Sequence, residues 1–244
     1  IDELEKKRLE REQKHHRSRA RRATPLLKYL AAEKAVEMAR RCLQIHGGNG
    51  YMKEYGAEKL VRDATVMPIY EGTSQIQALM AMKDTLGGIM KNPQRFVRRM
   101  AQARWRALSA KDPLERRVAR IQVLAMSAQN HLMTKTAANK LSSLQGKPIT
   151  EWPRAFFKNW DPKRDFSWAL LHAERLTRLL ADELICELLL EQAEQHPDRR
   201  EVLERYIDRA EPRVRFLHDE ITTTGERLLR QLGREPGPSS QAAE

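Results

Sequence analysis

The sequence predicts an all-α chain, an antiparallel helical bundle with an additional helical extension. Two observations carry this. From Thr24 onward, each long segment repeats apolar residues at spacings of three and four, the period of a helix buried on one face. No segment shows the strict alternation of a strand bounded by turns.

Taken in order, residues 1–23 form a charged helical lead-in, read as a solvated helix end. Thr24-Pro25 then predicts a helix start, because proline fits the first helical position. Leu27, Ala31, Ala35, Met38, Cys42 and Ile45 give that helix its apolar face. Gly47-Gly48 is expected to end it. A second helix is expected near Ala57, carrying Leu60, Val61 and Ala64 and stopped by Pro68. A third opens at Thr73 or Ser74, with capping-box spacing from Ser74 to Gln77, and runs to Gly87-Gly88.

Beyond this the texture changes. Residues 89–111 are rich in arginine, and Leu114, Val118, Ile121, Ala125, Ala128 and Leu132 mark a further helix. Gly146 to Pro162 reads as a loop with Trp152, Phe156, Phe157 and Trp160. A helix is expected from about Phe166 to Gln195. Another runs from Arg199 to Leu232, interrupted near Pro212. The tail at 233–244 is Pro/Gly/Ser-rich and is expected to be disordered. The organisation expected is therefore 1–23, 24–90, 91–232 and 233–244.

The chain has 244 residues and a formal net charge of +12, which favours anionic partners without choosing among nucleic acid, an acidic membrane surface and phosphate-bearing small molecules. Its two cysteines, Cys42 and Cys186, lie on apolar helical stripes, which points to no disulfide framework and to a reducing compartment. No run reaches the roughly 18 apolar residues of a membrane span, and no signal-peptide pattern is present. Ile1 lies inside an already helical pattern, so the chain is expected to be a piece of a longer polypeptide. No cluster has metal-ligand spacing, and no Walker or Rossmann fingerprint occurs.

The chemistry concentrates in Gln44–Gln77, QIHGGNGYMKEYGAEKLVRDATVMPIYEGTSQIQ. Glu71 lies at a helix mouth, beside Gly72 and behind Tyr70. The N–H groups of Glu71, Gly72 and Thr73 are expected to point outward and to suit a carbonyl or phosphate oxygen. Ile69 and Tyr70 supply apolar surroundings that would raise a carboxylate's pKa. On spacing alone, two readings stand: a catalytic base, or a glutamate favoured there by the helix dipole.

The pieces QIHGGNGY, EKLVRDA and PIYEGTSQIQ, in this order, resemble the C-terminal helical domain of the acyl-CoA dehydrogenases over about residues 24–85. The resemblance implies a flavin-dependent oxidoreductase of fatty acid metabolism and β-oxidation. It implies that Glu71 abstracts the α-proton of an acyl-CoA thioester while the β-hydrogen leaves as hydride to FAD, giving a trans-2-enoyl-CoA. Tyr70 and Gly72 would contact substrate. Thr73, Ser74 and Gln75 would contact FAD of the same subunit. Gln44, Ile45, His46, Gly47 and Gly48 would contact FAD held by a neighbouring subunit, which suits glycines that let a backbone approach a pyrophosphate. Arg62 and Asp63 match a structural pair. The partners implied are an electron-transfer flavoprotein and further copies of the chain, as a dimer or tetramer. The expected location is the bacterial cytoplasm, with contact at a membrane periphery as an alternative. The family's other two domains lie outside this sequence, so the piece alone is expected to be inactive. The helices at 91–232 resemble the extension of longer members. Four roles stay open for them: packing on the core, a subunit interface, binding of duplex DNA, or contact with anionic lipid.

Overall fold

The computed structural model describes residues 2–145, 152 and 160–232, and among these it contains helices and no strand. The all-α class is therefore the fold. Helix α1 (Glu3–Ile45) begins at an Asp2 cap whose side chain accepts from the Glu5 N–H at 2.8 Å. The short α2 (Gly48–Tyr51) and a 3₁₀ turn (Lys53–Tyr55) lead to α3 (Ala57–Ala64). Then come α4 (Ser74–Lys91), α5 (Pro93–Ser109) and α6 (Pro113–Ser142). After Trp160 follow α7 (Pro162–Asp165), α8 (Ser167–Leu171), α9 (Ala173–Gln195), α10 (Arg199–Thr223) and α11 (Glu226–Leu232).

Several boundaries differ from expectation, each for a local reason. No helix starts at Thr24-Pro25. The Thr24 hydroxyl donates back to the Ala20 carbonyl at 2.8 Å, a bond made inside a continuing helix, and Pro25 is buried. The lead-in and the next segment are thus one helix. Thr73, not Ser74, caps α4, its Oγ1 accepting from the Ile76 N–H at 3.2 Å. Gly87-Gly88 lie inside α4, which ends at Asn92, whose side chain in turn caps α5. The stretch from Phe166 to Gln195 is broken at His172. Helix α10 passes straight through Pro212, and the break falls at Gly225, with φ 107°. Phe156, Phe157 and residues 233–244 lie outside the described residues. Trp160, the described end of the aromatic loop, packs on Phe166 with ring centroids 5.4 Å apart.

One apolar core is built by α1, α4, α6, α9 and α10, through Tyr29, Met82, Leu86, Ile121, Leu176 and Ile207 among others. Helices α5 and α6 pack together across a three-residue connection, as do α9 and α10, so each pair is antiparallel. The arginine at the start of this region is structural where it meets an acid or a carbonyl. Arg117 spans Glu211 and Asp208 at 3.0 and 2.8 Å, and Arg116 donates to the Ala110 carbonyl at 2.7 Å. Deeper in, Asp182 is buried on α9 and receives Arg213 in a two-toothed pair at 2.7 and 2.6 Å, together with the Tyr206 hydroxyl at 2.7 Å. No described helix is long and apolar enough to cross a membrane.

Candidate active site

Between α3 and α4 the chain makes consecutive turns and then a sharp reversal. Pro68 donates nothing, but its carbonyl accepts from the Ser74 N–H at 2.9 Å, closing the loop on itself. Closure forces Glu71 to φ 50°, the left-handed region that a side chain seldom adopts, and Gly72 follows at φ 92°. Among the described residues Glu71 is the non-glycine residue held this way. The Gln77 amide locks it, donating to the Glu71 carbonyl at 3.2 Å.

The Glu71 side chain is exposed and has no cation paired with it among the described residues. The N–H groups of Glu71, Gly72 and Thr73 likewise meet no acceptor among them, so this corner presents three open donors beside one open carboxylate. A side chain at Gly72 would be strained by its φ of 92° and would push aside the Gln77 amide, whose nitrogen lies 2.9 Å from where a Cβ would sit. The apolar enclosure expected of Ile69 and Tyr70 is not built by this chain alone, since they are 64% and 45% exposed. Tyr70 is instead positioned by Lys28, whose Nζ lies 3.8 Å from the ring centroid and donates to the Met67 carbonyl at 2.8 Å.

The other expected residues divide. The Ser74 hydroxyl donates to Glu33 at 2.7 Å, so its proton and its N–H are both engaged inside the chain. Thr73 keeps its hydroxyl proton free while its oxygen caps the helix, and Gln75 is exposed. At the far end of α1, Gln44, Ile45 and His46 are exposed, and His46 Nδ1 lies 2.9 Å from the Cys42 carbonyl. That contact ties the His46 ring to the last turn of α1. A Cβ on Gly47 or Gly48 would meet nothing within 4 Å, so the backbone there is open to close approach. Gly50 differs. A Cβ there would fall 2.3 Å from the Leu43 carbonyl oxygen, so it is a packing glycine.

The hinge and the glycine loop do not converge within one chain. The hinge is tied to α1 at Lys28 and Glu33, and from Glu33 to Gln44 the helix axis runs about 17 Å. A groove of about 1390 Å³ opens beside the second half of α1, against α9 and α10. Gln44 and Gly47 reach its edge and Leu30, Val36 and Leu43 line it, but Glu71 is not part of it. Sequence reading marked Gln77 only by its capping-box spacing from Ser74, whereas its amide holds the Glu71 carbonyl instead. It missed Lys28 and Glu33, which also fix this corner, because they act from another helix.

A strained glutamate at a helix mouth, with open amides beside it, defines a class of site that can take a proton from carbon next to a polarised carbonyl. The comparisons agree with the family read from the motifs. The acyl-CoA dehydrogenase C-terminal domain matches residues 6–86, from the first turns of α1 into α4, so this segment of the chain is similar to that domain. The probable acyl-CoA dehydrogenase YngJ of Bacillus subtilis (strain 168) is 51% identical over 59 residues, 24% of this chain and 16% of its own length. The 3-methylmercaptopropionyl-CoA dehydrogenase of Ruegeria pomeroyi is 44% identical over 79 residues, 32% of this chain and 13% of its own. The caffeyl-CoA reductase-Etf complex subunit CarC of Acetobacterium woodii is 42% identical over 65 residues, 27% of this chain and 17% of its own. The chain spans less than a fifth of the length of these relatives.

Proposed function

We propose that this chain is part of a flavin-dependent acyl-CoA dehydrogenase that converts an acyl-CoA thioester to the trans-2-enoyl-CoA, with Glu71 as the base. The observation that carries the reading is the hinge: an unpaired carboxylate held at positive φ beside amides without acceptors. Glu71 takes the α-proton. Its own N–H is available to the thioester carbonyl, where negative charge grows as the proton leaves. Gly72 keeps the approach clear, and Tyr70, steadied by Lys28, lines the acyl side.

The residues present fit a flavin: open backbone at Gly47 and Gly48, with Gln44, Ile45 and His46 beside it, and the free hydroxyl proton of Thr73 next to Gln75. Bound FAD supplies the acceptor for the β-hydrogen, which leaves with its electron pair. Ser74 is the weakest of the carried-over contacts, because Glu33 holds its hydroxyl. The separation of hinge from glycine loop supports an assembly in which each completes a site with a neighbouring copy. The relative named for an Etf complex supports an electron-transfer flavoprotein as partner. The relatives include reductases as well as dehydrogenases. One base serves both directions, removing the α-proton in one and returning it in the other.

The test is Glu71→Gln in the full-length protein. Dye reduction by acyl-CoA is expected to fall about 10²–10⁴-fold while the bound flavin's colour is kept. Activity within a few-fold of the parent, with flavin retained, would remove Glu71 as the base. A full-length protein that binds no flavin would remove the enzyme reading itself.

A further inference from the structure

Helix α5 has two unlike faces. One packs on α6 through the fully buried Ala103 and the half-buried Phe96, Met100 and Ala107. On the opposite side Val97, Leu108 and Trp105 are 58%, 83% and 71% exposed. At 3.6 residues per turn these three, with Ala101 between them, fall within an arc of about 80°. Arg104 borders that arc on one edge, and Arg98 and then Arg95 border it on the other. Among the described residues this apolar midline is turned away from α6, the helix on which α5 mainly packs, and it stays uncovered.

The charge around the midline is one-sided. Residues 85–111 contain no Asp or Glu, against Lys91, Arg95, Arg98, Arg99, Arg104, Arg106 and Lys111. Two of those arginines are used inside the fold: Arg99 reaches Glu187 at 3.7 Å and Arg106 reaches Gln122 at 2.5 Å. The Arg95, Arg98 and Arg104 side chains are exposed and meet no acceptor among the described residues.

We propose that this face of α5 docks the protein on an anionic lipid bilayer, in the plane of the headgroups. A bilayer satisfies both halves of the pattern. The Val97–Leu108–Trp105 midline enters the headgroup–acyl boundary, and the bordering arginines reach lipid phosphates with their stems over apolar surface. Duplex nucleic acid would pair with the arginines but leave the exposed apolar stripe against water, and a single aromatic offers little for base stacking. A second copy of α5 would cover the stripe but bring two acid-free rows of cations together.

The proposal does not depend on the chemistry of Glu71. It is tested by co-sedimentation of the protein with phosphatidylcholine vesicles, with and without phosphatidylglycerol. Binding is expected only with the anionic lipid. The triple reversal R95E/R98E/R104E should weaken it about 100-fold or more. W105S/L108S should weaken it about 10-fold or more, because both removed side chains lie in the boundary layer. Arg227→Glu, an exposed reversal on α11, should leave it unchanged. Each substituted side chain faces solvent, and circular dichroism checks that the variants stay folded. Vesicle binding that ignores both α5 variants overturns the proposal. So does absence of vesicle binding, whether duplex DNA is retarded through the same arginines or a dimer forms that W105S/L108S abolishes.

Discussion

At the scale of single residues, the hinge trades stability for position. Glu71 occupies a conformation that suits glycine, and the Ser74–Pro68 bond and the Gln77 amide hold it there. Glu71→Gly should therefore stabilise the chain by about 0.5–1 kcal/mol while removing the carboxylate, whereas Glu71→Gln should leave stability unchanged. Urea titration of the two variants distinguishes these outcomes, and a destabilised Glu71→Gly would show that the backbone is unstrained. The glycines nearby make the same point about what a sequence can tell. Gly47, Gly48 and Gly50 look alike in the string, and all three read as one open loop. Only the fold separates the first two, which face open space, from Gly50, which lies under the Leu43 carbonyl. Gly50→Ala is expected to cost about 1–3 kcal/mol in a thermal or urea melt, with Gly48→Ala close to neutral. The location of the hinge corner was legible because a short motif, with an acid, a glycine and a cap in register, is a local signal. The clamps from Lys28 and Glu33 were not, because they depend on how α1 lies against the hinge.

At the scale of elements, the helices were legible and several of their ends were not. Apolar periodicity reports which face is buried and says little about where a helix stops. Two prolines were read as boundaries, yet α1 and α10 run through Pro25 and Pro212. In α10 the stripe Leu203, Ile207, Ala210, Val214, Leu217 and Ile221 is continuous and fully buried, and packing of that stripe outweighs the hydrogen bond that Pro212 cannot make. Pro212→Ala should thus stabilise by about 1–3 kcal/mol and raise the melting temperature by several degrees, about 2–4 °C per kcal/mol. An unchanged or lowered melting temperature would mean that the proline is accommodated without loss. Charge placement between elements makes a second prediction. Glu183 on α9 is buried between Arg22 of α1 and Arg99 of α5, at 3.5 and 4.0 Å, and burial pushes its carboxyl up to about 7. The folded state therefore binds this proton more tightly than the unfolded chain. Its contribution is greatest below the usual glutamate range and is lost as pH rises through about 7. His131, His172 and His218 act in the opposite sense, because burial lowers all three, so their contribution is lost as pH falls below the ordinary histidine range. Glu183→Gln should flatten the decline in stability between about pH 5 and 7.5 and leave the histidine-driven acid loss in place. A parental slope in that variant's urea midpoints would assign the decline to another group.

At the scale of the whole molecule, the segment that matches the family and the segment that follows it share their interior. Tyr29 on α1 is 1% exposed because α9 covers it. Its hydroxyl donates to Glu174 at 2.6 Å and accepts from Arg178 at 2.7 Å. The Thr177 hydroxyl lies 3.4 Å from the Ala78 carbonyl of α4, and Leu26, Ala78, Met82 and Leu86 enter the same cluster as Leu132, Leu179 and Ile207. Ion pairs extend the seam along the first half of α1, from Arg19 to Glu191 at 3.2 Å and from Arg22 to Glu183 at 3.5 Å. Cutting after α4 would leave the apolar faces of α1 and α4 open to water along most of their contact with α9. Those two helices and the hinge alone offer too little interior to compensate, since small isolated domains are marginal even when intact. Residues 1–92 expressed alone are therefore expected to show partial helicity without a cooperative thermal transition and to be cut rapidly by protease near α4. The described helices through α11, kept together, should melt in one step. A cooperative, protease-resistant 1–92 fragment would show that the matched segment folds by itself and that α9 merely rests against it. If the fragment behaves as expected, the hinge that carries Glu71 is held in shape partly by helices that lie outside the matched segment. Substitutions in the α9 face that covers Tyr29 and Ala78 should then lower the activity of the full-length protein without touching any residue of the site.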